Sequence, residues 1–182
     1  MVIKNSELAI GDPKRKYKYR LVFSGDRVVD ECWEKALFQD LGSNPASMES
    51  GKTIDFHGSL PGHIVEQADA EQAYIQSAFV GTETWVELPR EAWPPEWIKP
   101  DGTCKYERPV VPLLKALYGH PDSDTFWEKH CDKQLTSIGF KLFENWPSVY
   151  WHPYLRVLCA VYVDDFKCGG PPAALKEAWK RI

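Results

Sequence analysis

The chain has no run close to the ~20 apolar residues that a membrane-spanning helix needs. Its opening, "MVIKNSELAIGDPKRK", has no apolar core of signal-peptide length. A soluble intracellular protein, cytoplasmic or nuclear and without a membrane partner, is therefore expected. No repeat or low-complexity tract is visible. Cysteine is sparse, with five residues at positions 32, 104, 131, 159 and 168. The number is odd, no CxxC pair occurs and no His stands near at zinc-finger spacing, so a zinc site is not indicated. Reduced thiols are expected, with Cys159 packing as a small hydrophobe inside an apolar run. An excess of basic charge is missing too. Lys and Arg number 22 against 26 Asp and Glu, a formal net charge of -4, so there is no whole-chain basic footprint for nucleic acid.

What is present is apolar surface to bury. The 182 residues are 43% hydrophobic and 13% aromatic, with eight Trp, enough for one domain with a real core. "YRLVFSGDRVV" reads as a hairpin turning at Ser24-Gly25-Asp26. A short helix is expected around Ser47 to Phe56, then a strand over "HIVEQAD". A helical stripe of Ala70, Ala73, Tyr74, Ser77 and Ala78 follows, ended by Gly81. "TWVELP" reads as a strand, "REAWPPEWIKPDGTCKYERP" as a surface loop, and "VVPLLKALYG" as a strand bending at Gly119. The strongest helix follows, with Trp127, Cys131, Leu135 and Ile138 on one face, Thr125 and Glu128 as a capping box and Gly139 as its stop. "SVYWHP" and "VLCAVYVDDFKCGG" read as strands with a tight turn at the aspartates, and "AALKEAWKRI" as a last helix. The order implies an α+β fold with an antiparallel sheet.

Three features bear on chemistry. "KRKYKYR", Lys14 to Arg20, is either a solvated charge run or a phosphate-contacting segment with Tyr available for stacking. Asp164 and Asp165 end an apolar strand with no basic neighbour before Lys167. In a regular strand adjacent residues face opposite ways, so the two serve one site only from a turn. Asp is also a turn former in its own right. Asp69 closes another strand, and with Gln72 it resembles an N-cap and its partner. Two strand ends bearing unpaired carboxylates would otherwise make an oxygen-rich cation site of the kind Mg²⁺ takes with phosphate and water.

These residues resemble a family. "YVDD" in an apolar strand is similar to the hallmark of reverse transcriptases. "QADAEQAYIQ" resembles the segment around their first catalytic aspartate. "KALYGHPDSDTFWEKHCDKQLTSIGF" is similar to the "SLYGLKQAPRAWY…L…GF" stretch of copia-type LTR retrotransposon polymerases, and "YKYRLVFSG" to their "YKARLVAKG". The four matches run in order from Tyr17 to Gly170, nearly the whole chain. The resemblance implies a reverse-transcriptase palm, an antiparallel sheet backed by helices. Residues 1–62 would be a fingers-like segment and 63–182 a palm-like segment, with partial fingers and the thumb absent. Asp69, Asp164 and Asp165 would be the catalytic, metal-binding carboxylates, holding two Mg²⁺ (or Mn²⁺) ions. Tyr74 matches the aromatic that crowds the sugar 2′ position, with Ala73 before it. Tyr162 and Val163 would support the primer end, and Lys18 and Arg20 the incoming triphosphate. The implied partners are an RNA or DNA template with its primer, and dNTPs. In two places the sequence departs from the family: Asp122 stands at its Gln, and Pro121 at its Lys. An added acid repels a triphosphate unless cations intervene, and a missing thumb weakens the grip on duplex. An inactive, truncated nucleic-acid-binding remnant is thus the alternative expectation, and a metal-dependent phosphohydrolase a third.

Overall fold

The computed structural model describes residues 2–4, 18–38 and 43–182, and for the first two strands the backbone alone. Nine strands and four α-helices are formed by these residues. β1 (Val2–Lys4) pairs antiparallel with β2 (Lys18–Arg20). A second small sheet joins β4 (Trp85–Glu87) to β5 (Val110–Pro112). The main sheet has five antiparallel strands in the order β3-β9-β8-β7-β6. Its members are β3 (Ile64–Asp69), β6 (Lys141–Phe143), β7 (Trp146–His152), β8 (Val157–Tyr162) and β9 (Asp165–Gly170). The α+β class and the antiparallel sheet expected from the sequence are present.

Helices cover both faces of the main sheet. α1 (Met48–Gly58) opens at Ser47, whose side chain accepts from the Ser50 N–H at 3.3 Å. Ile54 from this helix packs with Val149, Leu158 and Ala160 of the sheet. Gly169 permits the contact, because a Cβ there would lie 3.0 Å from the Ile54 carbonyl oxygen. On the other face α3 (Ser123–Ser137) contributes Phe126, Trp127, Cys131 and Leu135, and α4 (Pro172–Arg181) contributes Leu175 and Ala178. They enclose Val157, Cys159, Val161, Phe166 and Cys168. Alternation does the sorting: Val157, Cys159 and Val161 point one way along β8, Leu158 and Ala160 the other. Each large aliphatic or aromatic side chain so buried contributes ~1.5–3 kcal/mol.

Five local expectations are corrected. The hairpin at Ser24-Gly25-Asp26 does not form. Gly25–Arg27 is a 3₁₀ turn, β2 pairs with β1, and the Phe23 N–H donates to the Tyr118 carbonyl at 2.7 Å. That distant partner reaches Phe23 because Gly119, at φ +90°, has no Cβ; one would sit 2.2 Å from the Phe23 carbonyl oxygen. The helix expected from Ala70 to Gly81 shortens to α2 (Ala73–Gln76). Ser77 closes it by donating its hydroxyl to the Tyr74 carbonyl, and Ala78 then bridges Lys115 in strand fashion. Asp69 is no N-cap, because Gln72, left-handed at φ 56°, precedes α2 and Asp69 remains in β3. Thr125 is no cap either. It lies buried inside α3, while the Glu128 carboxylate accepts from the Asn44 N–H at 3.0 Å. The strand read over "VVPLLKALYG" covers only β5, and edge strand β6 was not expected at all.

Candidate functional site

The pairing of β3, β9 and β8 decides where the acids meet. Asp69 is the direct cross-strand partner of Asp165, and Asp165 is also the partner of Tyr162. Direct partners in an antiparallel pair project to the same face with Cβ atoms ~4.5–5.5 Å apart. Asp69, Asp165 and Tyr162 are therefore neighbours on one face, all exposed. Asp164 reaches the same end of the sheet from the two-residue turn Val163–Asp164. Its carbonyl accepts from the Ala70 N–H at 2.7 Å, which ties the turn to the chain just beyond Asp69.

The turn is held under strain. Val163 sits at φ 56°, where a β-branched residue is a genuine outlier, and such a residue costs ~1–3 kcal/mol that its surroundings must offset. One such surrounding contact is Trp127, whose indole N–H donates to the Val163 carbonyl at 2.5 Å from the buried face of α3. Behind the turn lies a cavity of about 30 Å³, lined in part by Asp124, Trp127, Glu128, Tyr150 and Val163.

Among the described residues no cation pairs with Asp69, Asp164 or Asp165. Lys167, the first cation after the pair, is drawn away: its ammonium is 2.7 Å from the Asp55 carboxylate on α1. No three acid, His or Cys side chains among the described residues close into a ready metal cage. Mg²⁺ is usually held by one or two carboxylates and completed by water and substrate phosphate rather than by a protein cage. The facing pair Asp69 and Asp165, with Asp164 beside them, is a donor set of that kind.

Of the other expected residues, Tyr162 and Val163 adjoin the acids, Ala73 and Tyr74 are buried, and Lys18 and Arg20 lie in another sheet. Tyr74 is only 7% exposed, on the opposite side of the sheet from Asp69 and Asp165. Its hydroxyl donates to the Asp124 carboxylate and its ring meets Tyr118 edge-on. Burial first, then Asp124, pushes the phenol above its ordinary range. Ala73 is fully buried beside it. Tyr162 is 58% exposed beside Asp165. Lys18 and Arg20 lie in β2, opposite Lys4 and Val2, and Lys14 to Tyr17 fall outside the described residues. Trp127 and Asp124 were not among the expected site residues. Periodicity marks Trp127 as core and is silent about its N–H. The only signal for Asp124 is its place in the stretch similar to the polymerases.

No protein-family model matches the chain, and no solved structure matches it. Partial similarity exists to the protein-disulfide oxidoreductase DsbI of Salmonella typhimurium and of Salmonella typhi. Each is 33% identical over a 69-residue alignment that covers 31% of this chain and 31% of the relative. The chain thus spans about a third of the length of the curated relatives it matches. Neither name is that of a polymerase, so the polymerase reading stands on the residues and their placement.

Proposed function

We propose that the chain holds the nucleotidyl-transfer site of an RNA-directed DNA polymerase of the copia type, adding dNTPs to a primer 3′-hydroxyl on an RNA or DNA template. What supports the reading most is the register that sets Asp69 against Asp165 with Asp164 in the adjoining turn. Two Mg²⁺ (or Mn²⁺) ions, when bound, would activate the 3′-hydroxyl and steady the leaving pyrophosphate. The three carboxylates hold that charge, Trp127 fixes the turn that aims two of them, and exposed Tyr162 offers a surface for the primer end. Lys167 leaves the carboxylates free by pairing with Asp55.

One observation favours the second reading, a catalytically inactive nucleic-acid-binding remnant. Tyr74 is buried and tied to Asp124, so it does not front an open sugar pocket. The name DsbI suggests thiol–disulfide exchange as a further reading. That chemistry uses a pair of accessible thiols, whereas Cys131, Cys159 and Cys168 are buried, burial pushes Cys131 up to about 12, and exposed Cys32 has no second cysteine at CxxC spacing. Primer extension with Mg²⁺ or Mn²⁺ separates the first two readings. Catalysis predicts addition of a few nucleotides, lost in Asp164→Asn. The remnant predicts no addition, and salt-sensitive binding that survives Asp164→Asn.

A further inference from the structure

Two of the five cysteines face each other across the strands that bear the acidic turn. Cys159 of β8 and Cys168 of β9 are direct cross-strand partners. Both are fully buried, with their Sγ atoms 2.6 Å apart. Directly opposed residues in antiparallel strands have Cα atoms ~4.5–5.5 Å apart, inside the ~4.4–6.8 Å that a disulfide spans. Bond formation therefore asks for side-chain adjustment and no change of strand register. Cys131 of α3 belongs to the same core cluster but has no such strand register with either. Cys32 is exposed and Cys104 half-buried, both away from this cluster.

We propose that Cys159 and Cys168 form an oxidation site, converted by a peroxide-class oxidant into a disulfide that staples the β8–β9 hairpin beneath the Val163–Asp164 turn. One sulfur, as thiolate, attacks a peroxide oxygen. The O–O bond breaks, and the products are a sulfenic acid and hydroxide, which takes up the released proton as water. The partner sulfur then attacks the sulfenic sulfur, the S–O bond breaks and a second water leaves. Two thiols lose two hydrogens and two electrons, and one peroxide is reduced to two waters. The staple lies three residues from Tyr162 on one strand and three from Asp165 on the other, so it fixes their pairing. Burial holds the Cys168 thiol in its protonated form, well above its usual range. Reaction therefore waits on opening of the hairpin and runs slower than at exposed Cys32. This makes the pair a slow structural lock rather than an exchange catalyst, and the inference does not depend on the polymerase reading.

The test uses the full chain carrying Cys32→Ser and Cys104→Ser, with the unsubstituted chain alongside as the control for oxidant action at Cys32. Reduced protein with its sheet intact by circular dichroism is exposed to hydrogen peroxide, unfolded, alkylated with N-ethylmaleimide, digested and mapped by mass spectrometry. The expected product is one cross-linked peptide pair joining Cys159 to Cys168, lighter by two hydrogens than the separate thiol peptides and released by reductant, with Cys131 alkylated. Recovery of Cys159 and Cys168 as alkylated thiols after Cys32 of the control chain is consumed overturns the proposal. So does a cross-link from Cys131 to either of them.

Discussion

Residues 157–170 and residues 80–112 are both furnished with large apolar side chains and use them in opposite ways. In the first stretch β8 is buried from Val157 to Val161, and Phe166 and Cys168 are buried on β9. In the second, Pro109 is the only buried residue, while Trp85, Ile98 and Val110 are 54%, 41% and 47% exposed. The backbone explains the contrast. Residues 157–170 ladder on both sides into neighbouring strands, so side chains on either face are delivered to a helix-covered layer. Residues 80–112 contain Pro89, Pro94, Pro95, Pro100, Pro109 and Pro112, each without an N–H to donate. Their strands stop at three residues and 3₁₀ turns fill the gap. Apolar content becomes core only where the chain can be laddered into a sheet that something covers.

The largest expected effect breaks this contrast directly. Phe166→Ala removes a ring from between β9 and the α3–α4 layer and should cost ~3–5 kcal/mol. Trp85→Ala in the second stretch removes a larger side chain and should cost about 1 kcal/mol or less, because half of it already meets water. Urea unfolding of the two variants measures both. Equal losses would mean that residues 80–112 carry a core of their own.

The same contrast governs what could be read from the sequence. Helix α3 was legible because Trp127, Cys131 and Leu135 repeat at helical spacing, whereas α1, in a stretch with no clear period, was legible only as a short helix around Ser47 to Phe56. The turn at Asp164 was legible from the end of an apolar run. The partner of each strand was not: nothing local says that Asp69 lies against Asp165, or that Phe23 bonds to Tyr118 rather than turning at Ser24. Tyr74 was expected at the nucleotide from its place beside Ala73, yet Asp124, fifty residues on, takes its hydroxyl. Long-range pairing overrode local pattern at each of these points.

A smaller loss should appear as pH falls. His120 is 4% exposed and boxed by Phe23, Phe38 and Phe79 at ring distances of 4.9, 5.3 and 4.8 Å. Its Nδ1 accepts from the Asp122 N–H at 3.1 Å, which places the proton on Nε2, an atom with no hydrogen-bond partner among the described residues. Burial lowers its pKa, only partly countered by Asp122. A His with a depressed folded-state pKa binds protons less readily folded than unfolded. Its contribution is present above the unfolded value of ~6.5 and is lost as pH falls below it. The urea midpoint should drop between about pH 7.5 and about pH 5.5, and His120→Phe should flatten the drop. Some slope should remain from His130, which burial also lowers. An unchanged slope in His120→Phe would mean that the box opens to water and joins the second stretch in character.

The smallest effect compares one kind of bond in two settings. Lys167 and Asp55 meet at 2.7 Å where α1 packs on the main sheet, with the lysine side chain 22% exposed and the aspartate 58%. Arg108 and Glu87 meet at 2.9 Å beside the small β4–β5 sheet, with exposures of 64% and 52%. Exposed pairs are worth ~0.2–1 kcal/mol and are screened by salt. Asp55→Asn should therefore cost close to the upper end of that range and Glu87→Gln nothing measurable, with the difference shrinking in high salt. The first substitution also releases Lys167, one alternating position along β9 from Asp165 and on the same face. On the proposed function, in which the carboxylates take a divalent cation, a freed ammonium there competes with it, so Mn²⁺ affinity should fall in Asp55→Asn. It should recover in Asp55→Asn with Lys167→Gln, where no competing cation remains. If affinity stays low in the double variant, Asp55 acts on the acids by some route other than holding Lys167 away.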